Sequence, residues 1–361
     1  MEERNFKALV VDETEQGTFE RRITKRTIDD LPEGEVLVKV AYSSLNYKDA
    51  LSATGNKGVT RGYPHTPGID AAGQVAESHN PAFKAGDAVI VTSYDLGMNT
   101  SGGFGQYVRV PADWVVPLPD DLTLHDSMVY GTAGFTAGLS IFKMAANGVQ
   151  PEQGTILVTG ASGGVGSLAV AILVQAGYQV AAVSGKAQGQ HFLQGLGVQE
   201  IITREEAVDT SGRPFLKGRW AGVIDTVGGD VLATAIKSTN QHGTVTCCGN
   251  VAGPALNTTV FPFILRGVSL LGIDSQNCPM TLRRQIWQKL AGEWKLDVLD
   301  RLTTEISLDA LDPYIERILK GEQKGRVVAV SYTHLRAHET ASFISYAVFC
   351  LKKGGGGGGG G

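Results

Sequence analysis

The chain has 361 residues, of which 42% are hydrophobic and 19% charged, so it is long enough for about two domains and too apolar to be disordered. Its 32 basic and 36 acidic residues give a formal charge of −4, without the basic surface that nucleic-acid binding requires. No apolar stretch approaches the roughly 20 residues of a membrane helix, and the N-terminus lacks a signal-peptide pattern. We therefore expect small-molecule partners, no nucleic-acid or membrane partner, and a cytoplasmic location.

The first 124 residues contain short β-rich runs separated by turn residues. The runs are FKALVV, EVLVKVAY, DAAGQVAES, DAVIVTS, GQYVRV and DWVVPLP, and the turns carry Pro and Gly, as in LPEGE and YPHTPGID. Proline fixes φ and glycine allows positive φ, so these stretches favour chain reversal. We predict a mostly antiparallel barrel or sandwich over residues 1–124.

A different pattern begins near Thr123. One long helix is predicted from there to Gly148, because capping residues precede a run with apolar spacing. Six short apolar segments then alternate with helical stretches: TILVTG, QVAAVSG, EIITR, AGVIDTVG, GTVTCCG and VSLLGIDS. This alternation is typical of a doubly wound parallel sheet, which we place in residues 125–275. Residues 276–330, which end in the strand GRVVAV, are expected to return to the first domain.

Residues 331–361 continue no pattern found upstream and end in eight consecutive glycines. Their SYTHLRAHET stretch resembles the translated read-through of sequencing adapters, and a glycine run is what repeated G bases would encode. We treat residues 331–361 as a non-native tail and leave them out of the fold prediction, with a natural flexible tail as the alternative.

A glycine-rich turn follows the first strand of the predicted parallel sheet. Glycines without Cβ atoms let the backbone approach a pyrophosphate, and the helix that follows points unpaired N–H groups at it. The strand, turn and helix come in the order that dinucleotide binding requires. A tight turn used for packing is the alternative. The residues predicted to bind the cofactor here are Gly160, Ser162, Gly163, Gly164, Val165 and Gly166.

The end of the second parallel strand predicts which dinucleotide is used. An NAD enzyme would carry Asp or Glu there to hold the ribose hydroxyls, whereas this chain reads Val183-Ser184-Gly185-Lys186. A hydroxyl and an ammonium suit a 2′-phosphate instead, and Arg204 after the third strand is placed to reach the same group. We therefore predict NADPH, held by Ser184, Lys186 and Arg204, with solvated surface charges as the alternative for the two cations.

Several motifs together resemble the medium-chain dehydrogenase/reductase superfamily, in its zinc-independent quinone oxidoreductase branch. The resemblance is strongest to the YhdH/YhfP-type group, which includes NADPH-dependent acryloyl-CoA reductases. It implies an α/β protein with a GroES-like β-barrel domain, a Rossmann domain with a doubly wound parallel sheet, and a cofactor cleft between them. The motifs are SSLNYKDAL from Ser43, PGIDAAGQV from Pro67, GTAGFTA from Gly131, VTGASGGVGS from Val158, VSGK from Val183, IDTVGG from Ile224, FPFILRGVSLLGIDS from Phe261 and GRVVAV from Gly325.

The zinc members of the superfamily need a Cys and a His-Glu pair in the first domain. This chain offers His65 and Asp70 at the comparable place and no cysteine before Cys247, so we predict no metal site. His65 is expected to serve a turn, and Cys247 and Cys248 to be small core residues.

The resemblance also implies residues at the nicotinamide. Tyr47 is carried over as the catalytic residue beside the cofactor, with Asp49 as a residue that holds the loop. The alternative is that Asn46 caps a helix while Tyr47 is a core residue, and helix packing explains Thr136 equally well. The remaining predicted cofactor contacts are Thr136, Asn250, Ile264 and Ser275.

The predicted function is reduction by NADPH of the carbon–carbon double bond of an α,β-unsaturated acyl-CoA, of the acryloyl-CoA to propanoyl-CoA type, without zinc. Reduction of quinones or general enones is the first alternative. An NADPH-binding structural or redox-sensing protein without turnover is the second. The resemblance further implies a homodimer formed through the Rossmann domain.

Overall fold

A computed structural model describes residues 5–185 and 187–331, so Lys186 and the tail from residue 332 onward lie outside the described residues. The strands are β1 (Asn5–Glu13), β2 (Phe19–Thr27), β3 (Val36–Ser44), β4 (Asp70–Ser78), β5 (Ala88–Thr92), β6 (Tyr107–Val110), β7 (Val115–Pro117), β8 (Ile156–Val158), β9 (Val180–Val183), β10 (Glu200–Ile202), β11 (Trp220–Asp225), β12 (Thr239–Cys247), β13 (Ser269–Gly272), β14 (Thr303–Ser307) and β15 (Arg326–Val330). The helices are α1 (Tyr47–Ala53), α2 (Leu124–Ala146), α3 (Gly164–Gln175), α4 (Ala187–Gln194), α5 (Gly229–Lys237), α6 (Phe261–Arg266), α7 (Met280–Ala291), α8 (Leu299–Leu302) and α9 (Leu311–Leu319). Within the described part of the chain, no helix is both long and apolar enough to cross a membrane.

The first domain is built on a seven-stranded sheet in the order β14-β15-β3-β4-β5-β7, with β6 paired to β3. Alternate side chains of β3, namely Val36, Val38 and Val40, are completely buried, as expected for a strand with one face on a core. The strand β15 comes last in the described chain but pairs antiparallel with β3. The predicted β-rich fold is confirmed, whereas the domain boundaries at residues 124, 275 and 330 stay predictions.

The second domain contains a six-stranded sheet in the order β10-β9-β8-β11-β12-β13, and every neighbouring pair is parallel. These strands are the six apolar segments predicted from the sequence. Helix α3 covers the sheet with a continuous apolar surface from Leu168 to Leu173. The predicted doubly wound parallel sheet is confirmed.

Helix α2 lies between the two domains and is broken at Gly131. The sequence predicts one uninterrupted helix, but Gly131 has φ 49° and ψ −157°. A Cβ atom at this position would overlap with the side chains of Asp70 and Ser44. The break lets the chain pass close to both residues, which only glycine permits.

Candidate active site and cofactor cleft

The glycine-rich turn connects β8 to α3 and has the shape of a phosphate cradle. The amide of Gly163 donates a hydrogen bond to the carbonyl of Gly160, 3.0 Å away. A Cβ atom on Gly166 would overlap with that same carbonyl, so the turn can be this tight only with glycine there. The first N–H groups of α3 have no acceptor within the helix, and they make this end of α3 suitable for the pyrophosphate of a dinucleotide.

The turn is also attached to the last strand of the first domain. The amide of Gly325 donates to the carbonyl of Ser162 over 3.1 Å. The Nη1 atom of Arg326 lies 2.9 Å from the position that a Cβ on Gly164 would occupy. Val165 is half-buried against the apolar core. The predicted phosphate-binding residues therefore form one turn held from both domains.

The carboxyl end of β9 carries the predicted adenosine-binding residues. Ser184 is buried there, and its amide donates to the carbonyl of Ile202 over 2.9 Å. The side chain of Arg204 lies against Gly185, since a Cβ there would be 2.6 Å from Arg204 Nε. Ser184 and Arg204 are thus brought to the same strand end, and Lys186 lies outside the described residues.

The predicted catalytic residue Tyr47 begins helix α1 and is 39% exposed. Asn46 precedes it as the N-cap, and its backbone amide donates to Asp49 Oδ2 over 2.7 Å. The other oxygen of Asp49 accepts from the backbone amide of Ile69 at 2.7 Å. Asp49 therefore joins the start of α1 to the loop before β4, as predicted for a residue that holds the loop.

Asp70 is the centre of a buried hydrogen-bond network that the sequence did not predict. Its carboxylate accepts from Ser44 Oγ at 2.6 Å and from Asn46 Nδ2 at 2.7 Å. It also accepts from the hydroxyl of Thr132 at 2.6 Å and from the Thr132 amide at 2.9 Å. The hydroxyls of Thr132 and Ser93 lie 2.9 Å apart. Because Thr132 gives its proton to Asp70, Ser93 is the donor in that second bond.

Arg326 is the cation that faces this acidic cluster. Its Nη2 atom lies 3.9 Å from Asp70 Oδ2, and its Nε donates to the carbonyl of Val129 at 3.0 Å. Burial lowers the pKa of Arg326, while Asp70 and Asp49 raise it. Burial and the charge of Asp70 raise the pKa of Asp49 to about 7. Motifs in the sequence contain both Thr132 and Arg326, but nothing in their spacing predicts that they meet Asp70.

The four remaining predicted cofactor contacts have different surroundings. The buried hydroxyl of Thr136 donates to the carbonyl of Thr132 over 2.7 Å, which is a bond within α2. Asn250 is exposed after β12, and Ile264 is 68% exposed on α6. The carbonyl of Ser275 accepts from Arg283 Nη2 at 2.9 Å. Their cofactor roles stay predictions.

Known protein families match parts of both domains. Residues 32–120 match the family model described as the alcohol dehydrogenase GroES-like domain, and residues 164–292 match the one described as zinc-binding dehydrogenase. YhfP of Bacillus subtilis is 46% identical, with 83% of this chain and 91% of YhfP covered. AcuI of Ruegeria pomeroyi, named acrylyl-CoA reductase, is 43% identical, with 90% and 98% covered. This chain belongs to the medium-chain dehydrogenase/reductase superfamily.

Two solved structures place this superfamily member more narrowly. The yhdH oxidoreductase of Salmonella enterica, in complex with NADP, superposes with a TM-score of 0.87 at 42% identity, covering 90% of this chain and 99% of the other. The Bacillus subtilis yhfP structure, with NAD bound, gives 0.88 at 43% identity and covers 90% and 99%. The predicted resemblance to the YhdH/YhfP-type group of oxidoreductases is confirmed.

The name of the second family model implies zinc, and the residues of this superfamily member do not fit it. In residues 5–185 and 187–331, no group of three His, Cys, Asp or Glu side chains is arranged to hold a metal ion. His65 Nε2 lies 2.9 Å from the carbonyl of Gly97, so this ring nitrogen is engaged by backbone 32 positions further along the chain. Burial raises the pKa of Cys247, and that of Cys248 to about 12, so both thiols are poor ligands.

Proposed function

We propose that this oxidoreductase uses NADPH to reduce the carbon–carbon double bond of an α,β-unsaturated acyl-CoA, as in the conversion of acryloyl-CoA to propanoyl-CoA, without zinc. AcuI aligns with 90% of this chain, and its name, acrylyl-CoA reductase, supports the substrate class. The observation that carries the proposal is the position of Arg326. It touches both the phosphate-binding turn and the network around Asp70, so a dinucleotide bound at Gly160–Gly166 would reach the face that carries Tyr47.

The choice of NADPH rests on this chain's own residues, because one relative was solved with NADP and another with NAD. Ser184 directly follows β9, where an NAD site would present a carboxylate, and Arg204 packs against the next residue. A guanidinium pairs with a phosphate through charge-assisted hydrogen bonds. The predicted third contact, Lys186, adds a second cation to this position in the sequence.

NADPH supplies a hydride when bound, and the chain supplies binding, orientation and charge stabilisation. The first turn of α3 would bind the pyrophosphate through backbone N–H groups. Tyr47 presents its hydroxyl at the start of α1, where it can donate to the carbonyl oxygen of the substrate as negative charge develops there. Asn46 and Asp49 fix the first turn of α1 and therefore the position of Tyr47.

We also propose a homodimer formed through the edge of the parallel sheet. β13 is the last strand in that sheet, and its outer side has no neighbouring strand among the described residues. The segment that leads from β12 to β13 also exposes apolar side chains: Val251, Val260, Ile264 and Leu265 are 59–68% exposed. Light scattering after size-exclusion chromatography would give the mass. A monomer at micromolar concentration would contradict this proposal.

Steady-state NADPH oxidation with acryloyl-CoA compared with 1,4-benzoquinone tests the proposed activity. We expect higher kcat/KM with acryloyl-CoA and a saturated thioester as the product in mass spectrometry. Preference for the quinone would instead favour quinone reduction, because the Bacillus subtilis relative YhfP is named as a quinone oxidoreductase. Binding of NADPH without oxidation by either acceptor would favour a structural or redox-sensing role.

A further inference from the structure

The polar side chain of Lys48 follows Tyr47 in the sequence and has no role in the reaction proposed so far. Lys48 is the next residue of α1 and is half-buried. Its Nζ donates a hydrogen bond to Oε1 of Gln276 over 2.6 Å. Gln276 belongs to the segment between β13 and α7, so this bond connects the first domain to the chain that leaves the parallel sheet. The ammonium of Lys48 therefore extends from the first turn of α1, which begins at Tyr47, to the residue that follows the predicted cofactor contact Ser275.

The positive charge of Lys48 has no carboxylate in direct contact among the residues of the described ranges. The acceptor of its hydrogen bond is a neutral amide oxygen, and Asp274 and Asp49 act on it only from a distance. Burial lowers the pKa of Lys48, and the two carboxylates raise it less than burial lowers it. An ammonium has three N–H donors, and Gln276 takes one of them.

Gln276 is itself fixed on three sides. Its amide donates to Asp274 Oδ1 at 2.9 Å. Its carbonyl accepts from the amide of Tyr94 at 3.2 Å and from the guanidinium of Arg283 at 3.0 Å. Arg283 is fully buried. The backbone of Gln276 is thus held by three hydrogen bonds, and its side-chain oxygen accepts from the ammonium of Lys48.

We infer that Lys48 donates a hydrogen bond to the carbonyl oxygen of the bound substrate and stabilises the negative charge that forms there, with Gln276 as the residue that positions it. The inference rests on the proposed function. Hydride addition at the β carbon moves the π electrons of the double bond toward the carbonyl, and the oxygen takes the charge of an enolate. A fixed cation in a partly water-excluded site stabilises such a charge more than a neutral hydroxyl does. No covalent bond to Lys48 forms, and the proton that completes the α carbon comes from solvent.

The test compares Lys48→Met, Lys48→Arg and Gln276→Leu with the unmutated protein, with the exposed Lys84→Met as the matched control. We measure kcat and KM with acryloyl-CoA, the NADPH dissociation constant by fluorescence, and the melting temperature. Lys48→Met should lower kcat by roughly 10²-fold or more, as removal of one charge-stabilising donor does, while NADPH binding changes less than about twofold. Lys48→Arg should retain more activity than Lys48→Met. Gln276→Leu should lower kcat by a smaller factor, and Lys84→Met should leave it unchanged.

The pH profile separates this role from a purely structural one. If the ammonium is required, kcat of the unmutated protein falls as pH rises through the lowered pKa of Lys48. Lys48→Arg should keep its activity to higher pH because guanidinium stays protonated, and Lys48→Met should lose this alkaline fall. A kcat for Lys48→Met within twofold of the unmutated value would overturn the inference, as would an effect confined to melting temperature.

The choice of acceptor keeps the two proposals distinguishable. A quinone also places the charge of the added hydride on a carbonyl oxygen. Activity with 1,4-benzoquinone alone would therefore overturn the acyl-CoA proposal, and the same Lys48 variants would then be compared on the quinone. Absence of turnover with every acceptor would overturn both proposals.

Discussion

The guanidinium of Arg326 lies 3.9 Å from the carboxylate of Asp70, and both side chains are buried. Asp49 is buried beside them, so two acidic groups face one cation. The same guanidinium donates to the carbonyl of Leu45 at 3.3 Å and lies against Gly164 of the phosphate-binding turn. The charge balance of the network around Asp70 and the support of the predicted phosphate-binding turn therefore depend on one side chain.

Replacing Arg326 by Met should strongly destabilise the protein. The substitution leaves Asp70 without its cation, and breaking a buried pair in this way costs about 3–5 kcal/mol. Urea unfolding should show the loss, and Arg326→Met combined with Asp70→Asn should recover part of it. Arg219→Met is the control, because Arg219 pairs with Glu200 on the surface and such pairs contribute about 0–1 kcal/mol. Equal effects of Arg326→Met and Arg219→Met would contradict the prediction.

The raised pKa of Asp49 predicts a specific pH dependence of stability. Between its unfolded value near 4 and its folded value of about 7, the folded chain holds a proton that the unfolded chain has released. The contribution of Asp49 is therefore fully present below about pH 4 and is lost as pH rises to about 7. Melting temperatures across this window should fall less steeply for Asp49→Asn than for the unmutated protein. Parallel curves would show that Asp49 is ionised throughout, and exposed Asp113→Asn is the control.

Tyr47→Phe should lower turnover more than it weakens NADPH binding. The variant keeps the ring at the start of α1 and removes only the hydroxyl, and loss of one donor to developing charge costs roughly 10²-fold or more in rate. Tyr314→Phe, at a partly buried position on α9, is a control for loss of a hydroxyl elsewhere. Stopped-flow measurement of hydride transfer, together with NADPH titration, separates the two effects. An unchanged rate would leave Tyr47 with a structural role only.

The unmutated protein should prefer NADPH to NADH. One charge-assisted hydrogen bond to the 2′-phosphate contributes about 1.5–3 kcal/mol, or roughly 10- to 150-fold in affinity. Arg204→Ala and Lys186→Ala should each weaken NADPH binding and leave NADH binding nearly unchanged. The preference should also shrink as salt concentration rises, because Arg204 is exposed. Equal catalytic efficiency with the two cofactors would contradict the predicted contacts to the 2′-phosphate. It would not contradict the prediction that the protein binds a dinucleotide.

Removal of metal ions should leave activity unchanged. Prolonged dialysis against EDTA or 1,10-phenanthroline, followed by elemental analysis, provides the measurement. The described residues offer no set of three ligands, and no cysteine precedes residue 247. Stoichiometric zinc whose removal abolishes activity would contradict the zinc-independent assignment.

Local sequence patterns predicted the parallel sheet and the glycine turn, because short apolar runs and the strand-turn-helix order are read within about thirty residues. The break in α2 was not predicted. Its cause is the approach of Asp70 and Ser44 to Gly131, and these contacts join residues more than sixty positions apart. The helical spacing of apolar residues around Gly131 does not predict these contacts.

The same limit applies to the candidate active site. Tyr47, Asn46 and Asp49 were found through a motif, and the structure shows how the last two hold the first turn of α1. Arg326 was recognised only as part of the strand GRVVAV, whose alternation describes a sheet and not a buried cation. Which distant carboxylate meets a buried guanidinium is decided by tertiary packing.

The bond from Gly325 to Ser162 has a consequence for the order in which the protein is made. A ribosome completes the turn after β8 long before it adds β15, so the nascent chain holds the phosphate-binding residues without their support. The predicted phosphate-binding turn receives its bond from Gly325 only after β15 has been released and can pair with β3. Nascent chains arrested before residue 326 should therefore be unable to retain the dinucleotide, although the residues predicted to contact it have already been synthesised.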